Sequence, residues 1–216
     1  MYDLPHQTLD SWQMTLSKLK NLPITHLSLY NLTIEPNTAF FKRKQALKAM
    51  LPTEELSFSL LQEALLHLEE IGLKRYEISA FAKEGYHACH NSGYWTARPF
   101  LGLGPSAFSY WEKKRYRNVA HLGRYAEALK ANRSPVDFEE KLSFPDDVKE
   151  LLAIQLRLLE GVDMEIFEKR AGQIPPSTHQ TLQDLQAKGW LTLKDGKATL
   201  TASGTLFYDS VAEEII

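Results

Sequence analysis

The stretch TEELSFSLLQEALLHLEEIGLKRYEISAF, residues 53–81, predicts a helix that leads directly into a strand. Its leucines recur at the three- and four-residue spacing of an amphipathic helix, and Gly72 is well placed just past the end of that helix. The segment KRYEISAF (74–81) follows at once and has the composition of a strand. A helix joined to a strand in this way is typical of α/β proteins.

Residues 24–34, ITHLSLYNLTI, have the β-branched, aromatic and leucine content of a buried strand of a parallel sheet. Residues 8–21 before them predict an amphipathic helix capped by Thr8. Strand, helix and strand in this order indicate a βαβ unit, whose sites lie beyond the carboxyl ends of the strands. We therefore expect function just after Tyr30 and just after Ile78.

The strand predicted at residues 25–32 has no strand ahead of it in this sequence with which to pair. The expected fold class is therefore α/β, with the later half of a partial (β/α) barrel that is open on one side. An unpaired strand edge favours association with another chain. We expect self-association through this exposed barrel edge.

After Pro145 the pattern changes to three helices, at residues 148–160, 163–171 and 178–188. A hairpin with the tight turn KDGK (194–197) and one more helix complete the chain. This order predicts a small winged-helix α+β domain. The expected domains are residues 1–144, the barrel part, and residues 145–216, the winged helix.

Charge and composition exclude several classes of function. The net charge is -2, and the expected recognition helix, STHQTLQDLQAKG (177–189), holds one lysine and one aspartate, so no nucleic acid is expected as a partner. No apolar run approaches the roughly 20 residues that cross a bilayer, and the start of the sequence does not resemble a signal peptide. A cytoplasmic protein without a transmembrane segment is expected. Cys89 is the single cysteine, so this chain has no set of iron–sulfur ligands.

Residues 84–110, EGYHACHNSGYWTARPFLGLGPSAFSY, are dense in chemically useful side chains and show no helical periodicity, which predicts a functional loop. His90 can bind a metal or a heme iron, and Asn91 can hydrogen-bond its second ring nitrogen or a ligand carboxylate. Tyr94 and Trp95 supply flat apolar faces. The alternative is that both aromatic residues belong to the core and His90 is an ordinary hydrogen-bonded residue.

Two further features leave alternatives open. The glycines of GLGPSA (102–107) permit either a close approach of the backbone to a ligand or a plain tight turn. Arg98, Arg115 and Arg117 could grip carboxylates in bidentate fashion, but they could equally be ordinary surface arginines. A small metal cluster of residues 87–90 is disfavoured because such close neighbours cannot converge on one ion without strain.

Four motifs occur in order: YNLTIEPNTAF (30–40), YEISAFA (76–82), CHNSGYW (89–95) and GLGPSAFSY (102–110). Together they resemble the oxygen-independent coproporphyrinogen III oxidase family of radical S-adenosylmethionine proteins, and in particular its HemW-like heme-chaperone branch. The resemblance covers essentially the whole chain. It implies a partial (β/α) barrel whose CxxxCxxC loop binds a 4Fe-4S cluster and S-adenosylmethionine in the full-length protein. That loop is absent, so this chain alone is not expected to perform radical chemistry or to bind a cofactor tightly.

The resemblance also implies site residues. Thr33 and Phe108 fall at positions that contact S-adenosylmethionine in the family. The HNxxYW motif is the implied heme site, with His90 as the candidate iron ligand, and its residues are His90, Asn91, Tyr94 and Trp95.

The sequence departs from the family pattern at three positions. Ser106 stands where the family has a glycine, Phe108 where it has a histidine, and Ala80 where it has an asparagine. The lost histidine places more of the implied iron ligation on His90.

The implied function is heme binding and heme transfer by a chaperone, with heme or a porphyrin and an unidentified heme-acceptor protein as partners. The alternative is an oxygen-independent coproporphyrinogen III oxidase (dehydrogenase) of porphyrin biosynthesis, which needs the cluster and cationic groups for propionates. A third interpretation is a binding module that meets a partner through the winged helix or the barrel edge.

Overall fold

A computed structural model describes all residues from Met1 to Ile216. The chain divides into two compact units, Met1–Ala88 and Cys89–Ile216. This division differs from the boundary expected between residues 144 and 145, which stays a prediction about domain organisation.

The first unit contains four helices and three short strands. They are α1 (Leu9–Leu19), β1 (His26–Ser28), α2 (Ala39–Lys42), α3 (Lys44–Lys48), α4 (Glu54–Glu70), β2 (Lys74–Glu77) and β3 (Ala80–Ala82). The helices expected at residues 8–21 and 53–72 are confirmed as α1 and α4. Thr8 caps α1 by accepting a hydrogen bond from the Ser11 amide, and Gly72 follows α4 with a φ of 79°.

The three strands form one sheet in the order β1-β3-β2, with β3 antiparallel to both neighbours. The segment expected as one strand is therefore a hairpin, and its second arm separates the two strands that were expected to be parallel neighbours. Arg75 stabilises the turn by donating a hydrogen bond from Nε to the Ile78 carbonyl at 3.0 Å. The α/β class is confirmed, but the direct parallel pairing is wrong.

The outer edge of β1 is partly covered by the start of the chain. The Tyr2 amide donates to the Tyr30 carbonyl at 3.0 Å, and the Tyr2 carbonyl accepts from the Leu32 amide at 3.0 Å. Residues 26–28 pair with β3 on one side only. The edge is thus shorter than expected, and self-association through it stays a prediction.

The core of the first unit lies between α1, α4 and the sheet. The Trp12 indole donates to the Leu60 carbonyl at 2.8 Å and anchors α1 on α4. The buried residues around this contact are apolar: Trp12, Leu16, Leu29, Leu60, Ala64, Leu68, Leu73 and Phe81. Burial of this apolar set is what holds the unit together.

The second unit contains seven helices and six strands. They are α5 (Cys89–Trp95), β4 (Phe108–Trp111), β5 (Lys114–Asn118), α6 (Leu122–Lys130), β6 (Val136–Glu140), α7 (Asp146–Gln155), β7 (Val162–Asp163), α8 (Met164–Ala171), α9 (Pro176–Ala187), β8 (Leu191–Lys194), β9 (Lys197–Leu200), α10 (Ala202–Leu206) and α11 (Tyr208–Ile215). The strands form two antiparallel sheets, in the orders β4-β5-β6 and β7-β9-β8.

The elements expected after residue 145 are present as α7, α8, α9 and the β8–β9 hairpin. Asp195 and Gly196 form the hairpin turn with φ angles of 51° and 73°. Two details differ, because β7 adds a third strand to the wing and the last helix is split into α10 and α11. None of the helices in the chain is both long and apolar enough to span a membrane.

The sheet β4-β5-β6 was not expected from the sequence. Its strands carry alternating charges that pair across the sheet, including Lys114 with Glu139 at 2.7 Å and Arg117 with Asp137 at 3.1 Å. Opposite charges on adjacent strands stabilise a sheet without an apolar stripe. Charged residues occupy most positions of β5 and β6, so no continuous apolar run marks these two strands in the sequence.

Candidate functional site

The HNxxYW motif lies in the helix α5, where a loop without helical structure was expected. His90 and Tyr94 are four residues apart and therefore share one face of the helix. The Nε2 atom of His90 and the Tyr94 hydroxyl are 2.7 Å apart, within hydrogen-bonding distance. Their rings meet edge to face at 4.8 Å. The helix thus joins the candidate ligand to an aromatic side chain.

The His90 ring is exposed, whereas Asn91 is half-buried. Adjacent residues of a helix point in different directions. No hydrogen bond joins the Asn91 amide to His90, so the expected support of the imidazole comes from Tyr94 instead. An exposed imidazole is accessible to a ligand from solvent.

Trp95 packs against the body of the second unit. The Arg157 guanidinium lies over the Trp95 ring at 4.3 Å and over the Tyr208 ring at 5.0 Å. The Tyr208 hydroxyl donates to the Ala153 carbonyl at 2.9 Å. The Trp95 Nε1 atom is buried without a hydrogen-bond partner. Trp95, which is half-buried, therefore connects α5 to Arg157 and to the Tyr208 ring of α11.

Gly93 gives α5 room for Arg98. A Cβ atom at position 93 would lie 2.7 Å from the Arg98 guanidinium, and the Arg98 amide donates to the Gly93 carbonyl at 2.8 Å. The end of α5 is therefore closed by Arg98, one of the three arginines considered as carboxylate ligands.

An aromatic cavity of about 410 Å³ adjoins α5 and is walled by four rings, those of Tyr94, Phe100, Phe108 and Tyr110. The Tyr94 and Phe100 rings meet edge to face at 4.5 Å. Tyr94 is thus shared between His90 and the cavity. The sequence singled out Tyr94 but missed the cavity, because most of its lining comes from elements that are distant along the chain.

Phe108 stands at the start of β4 with half of its surface exposed, 50%. The Arg117 guanidinium lies 5.9 Å from the centroids of both the Phe108 and the Phe138 rings. Thr33 is exposed in an extended segment beyond β1 of the first unit. Both positions expected to contact S-adenosylmethionine are therefore accessible.

The GLG turn is packed against its own chain. A Cβ atom on Gly102 would lie 2.0 Å from the Phe108 carbonyl oxygen. The Asn118 amide donates to the carbonyls of Gly102 at 3.3 Å and Gly104 at 3.0 Å. Of the two alternatives for these glycines, the structure favours a tight turn.

Tyr76 forms a cluster with two histidines that the sequence did not reveal. Its hydroxyl lies 2.9 Å from the Nε2 atom of His26 and accepts a hydrogen bond from the Ala88 amide at 3.2 Å. The Tyr76 and His87 rings are stacked at 4.2 Å. The contact between His26 and Tyr76 joins residues that are distant in sequence, so no local pattern predicts it.

No group of three histidine, cysteine or carboxylate side chains in the chain could hold a metal ion. A 4Fe-4S cluster, which needs several thiolates, does not fit on residues that include Cys89 as the single cysteine.

Arg115 and Arg117 are already engaged by carboxylates. Arg115 forms ion pairs with Glu140 and Glu150, and Arg117 pairs with Asp137. Burial lowers the pKa of Arg115, but the bonds and charges of its two glutamates outweigh burial and raise that pKa. These arginines are parts of the sheet β4-β5-β6 and of its contact with α7.

Comparison with known proteins shows which proteins this chain resembles. Residues 142–207 match the family model of the HemN C-terminal domain. The chain is 28% identical over 212 residues to the heme chaperone HemW of Bacillus subtilis (strain 168), covering 98% of this chain and 56% of that protein. It is 29% identical over 223 residues to the heme chaperone HemW of Escherichia coli (strain K12), covering 99% of this chain and 55% of that protein. The chain thus spans about half the length of these curated relatives.

A solved structure supports the same conclusion for the fold. The coproporphyrinogen III oxidase HemN from Escherichia coli, described as a radical SAM enzyme, superimposes with a TM-score of 0.81 at 19% identity. The match covers 99% of this chain and 53% of that chain. The chain is thus similar in sequence to HemW heme chaperones, its residues 142–207 match the HemN C-terminal domain, and its fold is similar to that of HemN.

Proposed function

We propose that this chain supplies heme binding to a HemW-like heme chaperone, with His90 as the ligand of the heme iron. The observation that carries the proposal is the exposed imidazole of His90 on α5, hydrogen-bonded to Tyr94, whose ring also walls an aromatic cavity. A single element thus offers both an iron ligand and an apolar aromatic surface.

The chemistry of the two groups suits reversible binding. An imidazole nitrogen is a common protein ligand of heme iron. Nε2 of His90 lies 2.7 Å from the Tyr94 hydroxyl. Heme iron bound at this nitrogen would take the place of the hydroxyl, which would be free to return once the heme is released. An iron ligand such as His90, whose nitrogen has the Tyr94 hydroxyl as an alternative partner, suits a protein that transfers heme to an acceptor.

The remaining implied roles belong to the same proposal. Thr33 and Phe108 are exposed and would contact S-adenosylmethionine in the full-length protein. Asn91 is half-buried beside His90 and would meet a heme carboxylate rather than the imidazole. Trp95 would act indirectly, by holding α5 against Arg157.

Titration of the chain with hemin tests the proposal. We expect His90→Ala to weaken hemin binding at least about tenfold, equivalent to about 1.4 kcal/mol, and to abolish the change in the Soret band that marks imidazole ligation. His179→Ala is the matched control, because His179 is another exposed helical histidine of the second unit. Identical hemin spectra and affinities for His90→Ala and the unmodified chain would contradict the proposal.

The alternative, a coproporphyrinogen III oxidase, has less support. Its substrate carries several propionates, and the two arginines of β5 that could bind them are paired with Glu140, Glu150 and Asp137. Likeness to HemN at 19% identity concerns the fold alone.

A further inference from the structure

We propose that the cavity beside α5 binds the carboxylate-free edge of a planar aromatic macrocycle and rejects edges that carry carboxylates. This inference rests on the proposed heme-binding function and adds to it a site and a selectivity. The argument uses the shape of the cavity, the charges along it and its connection to His90.

The walls of the cavity suit a flat apolar group. Four aromatic rings line it, and the apolar side chains of Leu142, Leu151 and Ile154 complete the surface. Its volume of about 410 Å³ is at the lower end of the roughly 300–1,000 Å³ of small-molecule sites. A cavity of this size accommodates one edge of a tetrapyrrole, and the rest of the ring stays outside.

The charged side chains along the cavity are the cations Lys113, Arg115 and Arg170 and the carboxylates of Glu112, Glu140, Asp147 and Glu150. Arg115 is held by Glu140 and Glu150, and Arg170 is held by Gln155. Both guanidinium groups in the lining thus already have hydrogen-bond acceptors, and the carboxylates of the lining outnumber its cations four to three.

The acidic side chains add a direct repulsion. Burial raises the pKa of Tyr110, the negative charges of Glu150 and Asp147 raise it further, and the positive charges of Arg115 and Arg170 offset part of this rise. A ligand carboxylate beside this hydroxyl would meet the same two charges and would also lose its hydration. An edge of the macrocycle without carboxylates avoids both the repulsion and the loss of hydration. Lys113, in contrast, is exposed on the β4–β5 turn, where it can meet carboxylates that remain in solvent.

The cavity and the proposed iron ligand share one side chain. The Tyr94 ring lines the cavity and its hydroxyl contacts Nε2 of His90. A macrocycle that enters the cavity by its apolar edge would therefore displace or reorient Tyr94, the partner of His90.

Two metal-free porphyrins test the selectivity on the unmodified chain. Protoporphyrin IX has its two propionates on one edge and an apolar opposite edge, whereas coproporphyrin III has a propionate on every pyrrole. We expect binding of protoporphyrin IX, measured by fluorescence titration, to be at least about tenfold tighter. Equal affinities, or tighter binding of coproporphyrin III, would overturn the inference.

Two variants locate the site. Leu151→Trp fills the cavity and should weaken binding of protoporphyrin IX about tenfold, whereas Leu129→Trp adds the same ring to an exposed position of α6 and should not. Glu150→Gln removes one carboxylate and frees part of Arg115, so it should narrow the preference for protoporphyrin IX. If Leu151→Trp is unfolded by circular dichroism, the Glu150→Gln result decides. An unchanged preference in Glu150→Gln would count against the inference.

The two proposals fail separately. Protoporphyrin IX without iron does not need His90 as a ligand, so His90→Ala should retain most of its affinity for this probe. If His90→Ala leaves hemin binding unchanged while protoporphyrin IX still binds in the cavity, the proposal for His90 is contradicted and the proposal for the cavity stands. If Leu151→Trp binds hemin as tightly as the unmodified chain does, the proposal for the cavity is contradicted and His90 remains the proposed iron ligand.

Discussion

The sheets β1-β3-β2 and β4-β5-β6 have the same three-stranded antiparallel form but are held together differently. All three residues of β3 are buried, and Phe81 is 2% exposed. In β5 the one buried residue is Asn118, and its neighbours form ion pairs with β6. The first sheet depends on apolar burial and the second on pairing of charges. The second sheet can therefore line a cavity with charged side chains while the first serves only as core.

The largest expected effect is the loss of a ring from the apolar sheet. Phe81→Ala should lower the free energy of unfolding by about 3–5 kcal/mol, because it removes a buried ring and leaves a cavity. Urea denaturation followed by circular dichroism measures this change. Phe138→Ala is the matched change in the charged sheet and should cost about 1 kcal/mol or less, since Phe138 is 39% exposed. Equal losses would show that the two sheets do not differ in this way.

A smaller effect is expected from the central ion pair of the charged sheet. Arg115→Gln leaves Glu140 and Glu150 without the cation that they share. We expect a loss of about 1–2 kcal/mol, discounted for the partial exposure of these side chains. Lys114→Gln breaks an exposed pair with Glu139 and serves as the control, with no measurable loss expected. If added salt does not reduce the loss of unfolding free energy in Arg115→Gln, the loss comes from packing and not from charge.

Alkaline pH should weaken the second unit through Tyr110. Burial and the charges of Glu150 and Asp147 raise the pKa of this phenol above its ordinary value of 10.0. A raised pKa in the folded chain means that the contribution to stability is complete below pH 10.0 and is lost as the pH rises through the folded value. Phenolate absorbance during unfolding at increasing pH measures this, and Tyr110→Phe should remove that part of the pH dependence.

The smallest expected effect concerns the outer edge of the apolar sheet, where a substitution should change self-association and leave the fold intact. Residues 25, 27 and 29 direct their backbone groups toward β3, so the amide of Ser28 points outward. Ser28→Pro removes this donor and keeps the bonds to β3. If the chain self-associates through this edge, sedimentation velocity should show oligomers for the unmodified chain and fewer for Ser28→Pro. A strictly monomeric unmodified chain would refute self-association.

Much of the fold could be predicted because local signals and burial agree. Capping by Thr8 and the leucine spacing behind it place α1 correctly, and leucine spacing with Gly72 past the helix end places α4. Asp195 and Gly196 likewise fix the wing turn through their positive φ angles. These signals act between residues close in sequence, so no tertiary information is needed to read them.

The candidate site was only partly predictable. His90 and Tyr94 were singled out by residue type, and their four-residue spacing acquired meaning once α5 proved to be a helix. The contact of Arg157 with Trp95 joins positions 62 residues apart and has no local signature. The roles implied for Thr33, Phe108, Asn91 and the heme-facing residues stay predictions.

By itself the sequence determined the α/β class, the main helices, the wing hairpin and the family resemblance, because these follow from periodicity, capping and ordered motifs. The tertiary structure alone decided that β3 lies between β1 and β2, that a charged sheet walls a cavity, and that Trp95 faces the protein. These outcomes depend on pairings between distant residues, whose charges and rings meet only after the chain has folded. For the same reason, the surface that joins His90 to the cavity through Tyr94 could not be read from the HNxxYW motif.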